Sequence, residues 1–372
     1  MKKVLFVATI TKHITTFHLP YLKMFKEYGY EVHVATDDAA QIPYCDVHHK
    51  ISIRRNPFKI DNLKAIKQLK RIINEEKFDI VHCHTPMGSV VARLAAKEAR
   101  KNGTRVIYTA HGYHFYKGAP LINWLLYYPV EKWLAKYTDT QITITQEDYD
   151  LAKKKFKIKD LHLVHGVGLD EEKFNIEVTE DEKKKLKKSL EINEDDFVII
   201  YTAEISKRKG QKLLIKSIKK VVEDNNKVKL LLVGNDSLHG KCQKLVKRLN
   251  LEKNVLFLGY RDDVPKLLKI ADLAVSTSRQ EGLPVNLMEA MYMGLPIVAT
   301  DCRGNRELVK NNENGFLVGK GKKTEKKISN FITMIKNNKD LREEFGRDAK
   351  IKVEYYSLEN VVGNMKKIYF GG

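Results

Sequence analysis

A chain of 372 residues exceeds the ~250–300 residues that one hydrophobic core usually supports, so two domains are the first expectation. Hydrophobic residues make up 43% and charged residues 31% of the chain, which excludes a disordered protein and indicates a globular one with a sizeable core. The net charge of +20 allows nucleic acid, an anionic membrane surface or a phosphorylated substrate as partner, and lysine-rich solvated helix faces would explain it equally well.

Short β-branched and leucine-rich runs alternate with amphipathic stretches through the first half of the chain. The short runs predict strands at Val4–Ala8, Glu31–Thr36, Ile80–His84, Arg105–Ala110, Gln141–Thr145 and His162–His165. The amphipathic stretches predict helices at Phe17–Glu27, Asn62–Glu75, Ser89–Lys101, Leu121–Lys136 and Gln146–Phe156.

The second half of the chain repeats this alternation. Its predicted strands are Val198–Ala203, Lys229–Val233, Val255–Leu258, Leu273–Ser276 and Pro296–Thr300, each followed by a segment of helical period. Strand–helix alternation predicts parallel sheets with helices on both faces, hence an α/β protein of two doubly wound, Rossmann-like domains. We expect ligands at the carboxyl ends of the strands, in a cleft between the two domains.

The expected domains follow from where the strand signals stop. Residues 1–170 form the first domain, the charged stretch 171–196 a linker with one surface helix, and 197–355 the second domain. Residues 356–372 are expected to form a helix that crosses back to the first domain.

The cysteines and the N-terminus indicate the compartment. Four cysteines without paired spacing favour a reducing environment over a disulfide framework. The apolar run Val4–Ile10 is short and lacks a small-residue cleavage site, so a first strand explains it better than a signal peptide. No run reaches the ~20 apolar residues of a membrane span. We expect a cytoplasmic protein or one on the cytoplasmic face of a membrane.

The segment 276–300 contains the most informative motif. A strand is followed by a loop with Glu281, a helix that is expected to begin at Pro284, and Glu289 little more than one turn into that helix. Both carboxylates can then border the same edge, with free backbone N–H groups between them. Carboxylates accept hydroxyl hydrogen bonds and helix N-termini favour phosphate, although two ordinary solvated glutamates would give the same pattern.

This segment resembles the signature of the retaining glycosyltransferases with the GT-B fold, specifically the large family numbered four. That family has two glutamates at this spacing around Gly282, Leu283 and Pro284, followed by Glu-Ala-Met and Gly-x-Pro. The resemblance implies that Glu281 holds hydroxyls of the donor sugar and Glu289 the ribose hydroxyls of the nucleotide. It also implies a metal-independent enzyme without cofactor that uses a nucleotide diphosphate sugar, which we expect to be linked to UDP.

Three further segments match the same family: 166–174, 299–309 and 314–318. The resemblance therefore covers essentially the whole chain. In that family the anomeric configuration is retained, and the leaving phosphate is thought to take the proton of the acceptor hydroxyl.

A basic loop, 202–210, follows the first strand of the second domain. In the family this loop carries an arginine and a lysine that grip the donor diphosphate. Lys209 matches the lysine, but Glu204 stands where the arginine is expected. Lys207 or Arg208 could supply the second positive charge, and a basic loop without ligand is the alternative.

Histidines follow two strands of the first domain. His111 with Gly112 resembles the family's His-Gly motif, where the histidine faces the donor sugar and the reaction centre. His82 and His84 share one face of a strand, but no third ligand is spaced for zinc, so we predict no metal site. We expect His84 to border the acceptor pocket instead.

The loop expected after the first strand, Thr9–Thr16, lacks the paired glycines common in the family. Thr15, Thr16 and His18 must then provide its contacts, and we place Thr15 and His18 on the acceptor side.

The segment 119–136 is rich in aromatic residues beside lysines and contains both tryptophans, Trp124 and Trp133. Such a helix suits an anionic bilayer interface, with both tryptophans facing the membrane. A helix packed on its own sheet is the alternative.

Together these features predict transfer of a sugar from a UDP-hexose or UDP-N-acetylhexosamine to a polyprenyl-diphosphate-linked glycan for capsule, exopolysaccharide or another envelope polymer. Catalysis would use His111 and Glu281, and the donor would contact Lys209, Arg208, the segment 282–284 and Glu289. One alternative is a sugar-nucleotide epimerase on the same scaffold. A non-catalytic nucleic-acid-binding protein is the second, but the sequence shows no nucleic-acid motif, so we expect no nucleic-acid partner.

Overall fold

The computed structural model of the protein describes residues 1–371, which form two compact units. The first unit contains residues 1–167 together with 361–371, and the second contains residues 168–360.

The first unit is built on a seven-stranded parallel sheet. Its strands are β1 (Lys3–Val7), β2 (Glu31–Thr36), β3 (Val47–Lys50), β4 (Ile80–Cys83), β5 (Arg105–Ala110), β6 (Thr140–Thr143) and β7 (Asp160–Leu163). The strand order is β3-β2-β1-β4-β5-β6-β7. The helices between these strands are α1 (Thr11–Phe17), α2 (Leu19–Glu27), α3 (Asp61–Glu76), α4 (Pro86–Ala95), α5 (Lys97–Lys101), α6 (Leu121–Leu134) and α7 (Gln146–Lys155).

The second unit begins with helix α8 (Glu180–Ser189), whose start is fixed by a reciprocal capping box between Thr179 and Glu182. Its six-stranded parallel sheet has the order β10-β9-β8-β11-β12-β13. These strands are β8 (Phe197–Thr202), β9 (Val228–Val233), β10 (Val255–Gly259), β11 (Leu273–Ser276), β12 (Ile297–Thr300) and β13 (Gly315–Val318). The remaining helices of this unit are α9 (Gln211–Asp224), α10 (Lys241–Arg248), α11 (Val264–Lys269), α12 (Val285–Tyr292), α13 (Arg303–Leu308), α14 (Thr324–Asn337) and α15 (Lys339–Val353).

Alternation along each strand divides the core into two layers. In β1, Leu5 packs into the cluster on one face of the sheet and Phe6 into the cluster on the other. In β8, Ile199 and Ile200 divide in the same way. Both sheets are therefore covered by apolar contacts on both faces, which explains why their strands are nearly continuous hydrophobic runs.

Helix α16 (Leu358–Phe370) completes the first unit. Its buried side chains, which include Met365 and Tyr369, join the same core layer as Phe6. The guanidinium of Arg105 donates to the backbone carbonyls of Ile368 at 2.8 Å and Tyr369 at 3.2 Å.

The two parallel α/β sheets confirm the predicted fold class, and every predicted strand lies within two residues of its expected bounds. The sequence did not indicate β3, because its histidines and lysine give no apolar run at this sheet edge, nor β13. Two predictions were wrong in detail. The expected loop Thr9–Thr16 is mostly helix α1, and the expected helix Ser89–Lys101 begins at Pro86 and is divided into α4 and α5.

Each sheet has one position where the direction of strand addition reverses. It lies between β1 and β4 in the first unit and between β8 and β11 in the second. The carboxyl ends of such neighbouring strands leave a crevice that is the usual ligand site of doubly wound sheets. We call these two positions the first and second switch points.

Within residues 1–371, no helix combines the length and the apolarity that a membrane crossing requires.

Candidate functional site

The second switch point brings together one carboxylate and two cations. Glu281 lies in the loop after β11, and Lys209 and Arg208 lie in the loop after β8. Lys209 Nζ is 2.6 Å from Glu281 Oε1, and an Arg208 guanidinium nitrogen is 3.1 Å from Glu281 Oε2. Glu281 is only 7% exposed, so both of its carboxylate oxygens are committed to these cations in a poorly hydrated position.

Buried hydroxyl groups hold the two loops in place. Tyr201 donates its hydroxyl to the carbonyl of Lys209 at 2.9 Å and lies 2.8 Å from the hydroxyl of Ser278. Ser278 in turn donates to Glu281 Oε1 at 2.5 Å. The carboxylate is therefore fixed by the sheet itself through Tyr201, the last residue but one of β8.

A glycine allows the basic loop to approach β11. Gly210 has a φ of +74°, and a Cβ atom there would lie 2.4 Å from the carbonyl oxygen of Thr277. The Thr277 hydroxyl donates to the carbonyl of Gly210 at 3.1 Å. A side chain at residue 210 would push this loop away, and Lys209 with it.

A residue further along this loop supplies the positive charge that the family places at residue 204. Glu204 is exposed, and its carboxylate accepts a hydrogen bond from the hydroxyl of Ser237. Lys207 and Arg208 are both exposed, but the guanidinium of Arg208 contacts Glu281. Of the two candidates for the second positive charge, the structure brings Arg208 to the carboxylate.

Helix α12 supplies the other predicted carboxylate. The helix begins at Val285 with Pro284 as its N-cap, one residue later than expected, because the ψ of 105° at Pro284 is not helical. Gly282 and Leu283 form the preceding turn, and Leu283 packs partly against the core of the second unit. The first turn of α12 leaves backbone N–H groups without partners inside the helix.

Glu289 lies in the second turn of α12 and is half-buried. Burial raises the pKa of its carboxyl to about 7, and the charge of Lys173 opposes this shift. The Glu289 carboxyl is therefore close to half-ionised at neutral pH.

Sequence reasoning missed Arg303, at the start of α13. It is buried, and its guanidinium donates to the carbonyl of Glu281 at 3.2 Å. A Cβ atom on the adjacent Gly304 would lie 2.1 Å from the carbonyl oxygen of Gly282, so only glycine lets α13 approach this turn. The segment 299–309 had been recognised as family-like, but its residues had been given no role.

Four histidines meet at the first switch point. They are His13 from α1, His18 from the residue between α1 and α2, His84 after β4 and His111 after β5, and we call them the histidine cluster. One nitrogen from each ring lies within 4.8 Å of one nitrogen from each of the others. Sequence reasoning had placed His18, His84 and His111 at this end of the domain but had overlooked His13.

The rings of the cluster are in direct contact. The Nε2 atoms of His13 and His18 are 3.2 Å apart, and His84 Nδ1 is 3.3 Å from His111 Nε2. The rings of His18 and His84 stack with centroids 3.8 Å apart. Burial lowers the pKa of His13 to about 4 and lowers the pKa values of the other three well below the usual 6.5.

His82, two residues before His84, has different partners. Its Nε2 lies 2.8 Å from the hydroxyl of Thr109 and its Nδ1 lies 2.8 Å from the hydroxyl of Tyr369. Thr15, also expected on the acceptor side, lies inside α1, and its hydroxyl donates weakly to the carbonyl of Thr11.

A pocket of 520 Å³ lies beside the histidine cluster in the first unit. Its polar wall contains His13, Arg55 and Glu131, and its apolar wall contains Ile10, Met87, Val90, Tyr108, Phe115 and Tyr127. Glu131 is held by the fully buried Arg93, whose guanidinium is 2.9 Å away.

Helix α6 forms part of this pocket and presents an apolar surface to solvent. We call this surface the α6 patch, and its exposed side chains are Leu121, Ile122, Leu125, Leu126, Val130 and Trp133. The expectation for Trp124 was wrong, because its indole packs inward against Phe115 and Tyr128. Trp133 is 46% exposed, with the ammonium of Lys136 5.2 Å from its ring centre.

Comparison with known proteins identifies the family. The profile described as Glycosyl transferases group 1 matches residues 182–352, and that described as Glycosyl transferase 4-like matches residues 3–146. The putative glycosyltransferase EpsD of Bacillus subtilis (strain 168) is 42% identical over 369 residues, covering 99% of this chain and 96% of EpsD. The chain belongs to the glycosyl transferase group 1 family.

Two further comparisons concern a relative named for its substrates and a solved structure with a bound ligand. The UDP-Gal:alpha-D-GlcNAc-diphosphoundecaprenol alpha-1,3-galactosyltransferase of Escherichia coli is 29% identical to this glycosyltransferase over 268 residues, covering 71% of this chain and 68% of the relative. The crystal structure of Anabaena HepE in complex with UDP-glucose superposes with a TM-score of 0.78 at 20% identity, covering 99% of both chains. The glycosyltransferase therefore has the GT-B fold.

Proposed function

We propose that this glycosyltransferase transfers a hexose or N-acetylhexosamine from a UDP-sugar to a polyprenyl-diphosphate-linked glycan, with retention of the anomeric configuration. The observation that carries the proposal is the grouping of Glu281, Lys209 and Arg208 at the second switch point, next to the start of α12. A UDP-glucose complex of a protein with the same fold and the substrates named for the Escherichia coli relative support the choice of donor and acceptor.

In this proposal, donor binding changes the partners of Glu281, Lys209 and Arg208. Lys209 and Arg208 form ion pairs with Glu281. A bound diphosphate takes over the two cations together with the free N–H groups of α12, and Glu281 then accepts hydrogen bonds from hydroxyls of the sugar. Glu289 accepts the ribose hydroxyls. Gly282, Leu283 and Pro284 provide the backbone contacts between these two carboxylates.

We propose that the diphosphate is held without a metal ion, because the two side-chain cations and the helix start supply the positive charge. During transfer the bond between the anomeric carbon and the diphosphate breaks, and the acceptor oxygen bonds to that carbon on the same face. The acceptor proton passes to the departing diphosphate. Stabilisation of the charge on that leaving group by Lys209 and Arg208 is the main catalytic contribution. His111 lies near the anomeric carbon in this proposal.

The first unit binds the acceptor. Its pocket combines an apolar wall with a polar wall that includes Arg55, and it opens beside the α6 patch. Apolar side chains suit a polyprenyl chain, whereas Arg55 and His13 on the polar wall suit its diphosphate and first sugar. We assign His84, Thr15 and His18 to the same acceptor side, behind His13. The exposed α6 patch and the net charge of +20 place the protein on the anionic inner face of the cytoplasmic membrane in this proposal.

A product assay tests the proposal. Purified protein is incubated with a panel of radiolabelled UDP-sugars, with and without a synthetic polyprenyl diphosphate that carries one N-acetylhexosamine. We expect label in the organic phase only with acceptor and with one donor, and an α-linked product by NMR. Conversion of the UDP-sugar without acceptor would identify the sugar-nucleotide epimerase. An inverted linkage, or no transfer with any donor, would contradict the proposal.

A further inference from the structure

The segment between β3 and α3 exposes a group of large apolar side chains to solvent. Phe58 is 86%, Ile60 68% and Leu63 61% exposed. Exposed apolar side chains that occur singly, such as Tyr260, are ordinary features of a protein surface. A group of them marks a surface that contacts another molecule or a membrane. We call residues 54–63 the Phe58 loop.

Hydrogen bonds hold the Phe58 loop in this outward conformation. The buried side chain of Asn62 accepts a hydrogen bond from the backbone N–H of Arg54 at 2.8 Å and donates one to the carbonyl of Asn56 at 2.9 Å. The side-chain oxygen of Asn56 accepts from the N–H of Phe58 at 3.0 Å. The folded backbone itself therefore directs the ring of Phe58 to solvent.

Positive charges surround these apolar side chains. Asp61 is the only acidic residue between residues 54 and 70, and its carboxylate lies 3.2 Å from the guanidinium of Arg54. The cationic residues of the same stretch are Arg54, Arg55, Lys59, Lys64, Lys67 and Lys70. Apolar side chains flanked by an excess of cations are complementary to a bilayer with anionic head groups, because the apolar groups enter the acyl boundary while the cations stay with the phosphates.

The Phe58 loop and the α6 patch both border the pocket of the first unit. Arg55 and Pro57 of the loop line this pocket together with Tyr127 and Val130 of α6, and all four side chains are exposed. The opening of the pocket is therefore bordered by two surface elements that carry exposed apolar side chains. A lipid-linked molecule in a bilayer that contacts both elements can enter the pocket without crossing water.

We propose that the Phe58 loop inserts its apolar side chains into an anionic lipid bilayer and, together with the α6 patch, holds the opening of the pocket against that bilayer. Contact through one helix would leave the first unit free to rotate about it, whereas two contacts far apart in sequence fix its orientation. Insertion of the loop rests on its exposure and charge alone. Entry of the acceptor from the bilayer rests, in addition, on the proposed function.

Vesicle binding without donor or acceptor tests the insertion. On vesicles of equal parts phosphatidylglycerol and phosphatidylcholine, Phe58→Ser should lower the partition coefficient by about tenfold in cosedimentation. Tyr260→Ser, which removes an exposed ring from the second unit, should leave it unchanged. Lys59→Gln combined with Lys64→Gln should weaken binding to these vesicles but not to vesicles of phosphatidylcholine alone. Equal vesicle binding by wild type and Phe58→Ser would overturn the proposal.

Because Phe58 is exposed, Phe58→Ser should fold like the wild type, which equal melting temperatures would verify. A dimer in analytical ultracentrifugation that Phe58→Ser dissociates, with vesicle binding unchanged, would assign the loop to a contact between two copies of the chain and overturn the bilayer contact.

Transfer assays test the entry of the acceptor. The KM for an acceptor embedded in vesicles should rise about tenfold in Phe58→Ser, as vesicle binding falls, whereas the KM for a short-chain, water-soluble acceptor should not change. An equal rise for both acceptors would place Phe58 in the pocket and contradict its role at the bilayer. Absence of transfer by the wild type to either acceptor would contradict the proposed function, while the vesicle measurements would still decide the insertion.

Discussion

The two switch points occupy the same place in two sheets of similar topology, yet their side chains differ in kind. At the second, a buried carboxylate is paired with a lysine and an arginine. At the first, four imidazoles contact one another, and burial keeps their pKa values low. The sheet topology determines where a ligand can bind, and the loops after the strands determine which chemistry it meets.

This difference separates the tasks that we assign to the two units. Cations that can pair with a carboxylate or with a phosphate suit an anionic, soluble donor. Neutral rings beside an apolar pocket suit an amphiphilic acceptor. Changes at the second switch point should therefore affect donor affinity and transfer, and changes in α6 should affect only the acceptor and the membrane.

The largest effect is expected from Glu281→Gln. The amide keeps the shape of the side chain but is a weaker acceptor for sugar hydroxyls and leaves Lys209 without a counter-charge, so kcat/KM should fall by about 100-fold or more. UDP affinity should be retained, because the cations remain. Glu204→Gln, in an exposed position of the basic loop, is the matched control. Transfer rates close to wild type in Glu281→Gln would remove this carboxylate from the reaction.

Lys209→Ala should have the next largest effect. Loss of a charged contact to the diphosphate should weaken UDP binding by about 10- to 100-fold, measured by calorimetry. Lys207→Ala removes an exposed charge from the same loop and should change the affinity only slightly. If both variants bind UDP equally well, the residues that bind the diphosphate lie elsewhere.

A pH dependence should distinguish Glu289. The ionised carboxyl accepts hydroxyl hydrogen bonds on both oxygens, whereas the protonated carboxyl carries a proton on one of them. Because the pKa of Glu289 is about 7, affinity for UDP-glucose should rise by up to about tenfold from pH 6 to pH 8. UDP-glucose is the appropriate probe because its diphosphate is esterified at both ends and does not titrate in this range. Glu289→Gln should flatten the profile, and a wild-type profile that is already flat would contradict the role.

The same pKa shift has a consequence for folding. A carboxyl with a pKa raised above its unfolded value of about 4.5 binds more protons in the folded state. Its contribution to the free energy of unfolding therefore decreases as the pH rises from about 4.5 to about 7. Glu289→Gln should remove this part of the pH dependence of stability in urea unfolding.

The smallest effect is expected in the first unit. Trp133→Ser should weaken binding to anionic vesicles severalfold in cosedimentation, and UDP affinity should not change. Tyr355→Ser removes another exposed aromatic ring, in the second unit, as a control. Trp124→Ser should instead lower the melting temperature, because that indole packs inward. An effect of Trp133→Ser on UDP binding would contradict the assignment of donor binding to the second unit alone.

The fold was accessible from sequence because parallel strands buried on both faces leave continuous apolar runs. The polar edge strand β3 left none. At the second switch point, Glu281, Lys209 and the start of α12 could be predicted because they lie at fixed distances from strand ends. Arg208 remained one of two candidates for the second cation, because only the loop conformation held by Gly210 decides which side chain reaches Glu281.

The histidine cluster shows what local spacing misses. His82 and His84 were considered as ligands with no third ligand spaced for zinc. Only His84 belongs to the cluster, and the other members come from α1, from the residue after α1 and from the residue after β5. Sheet order, not sequence distance, brings them together. The helix α1 in particular was expected to be a loop, so the position of His13 could not be inferred.

Helix α16 dictates an order of events during synthesis. The core layer that contains Phe6 includes Met365 and Tyr369, so the first unit to emerge from the ribosome still lacks part of its interior. Residues 168–360 are all translated before that missing piece. The second unit can therefore reach its native state before the first. Until α16 is made, apolar side chains of α2 in the first unit lack the contacts that this helix provides.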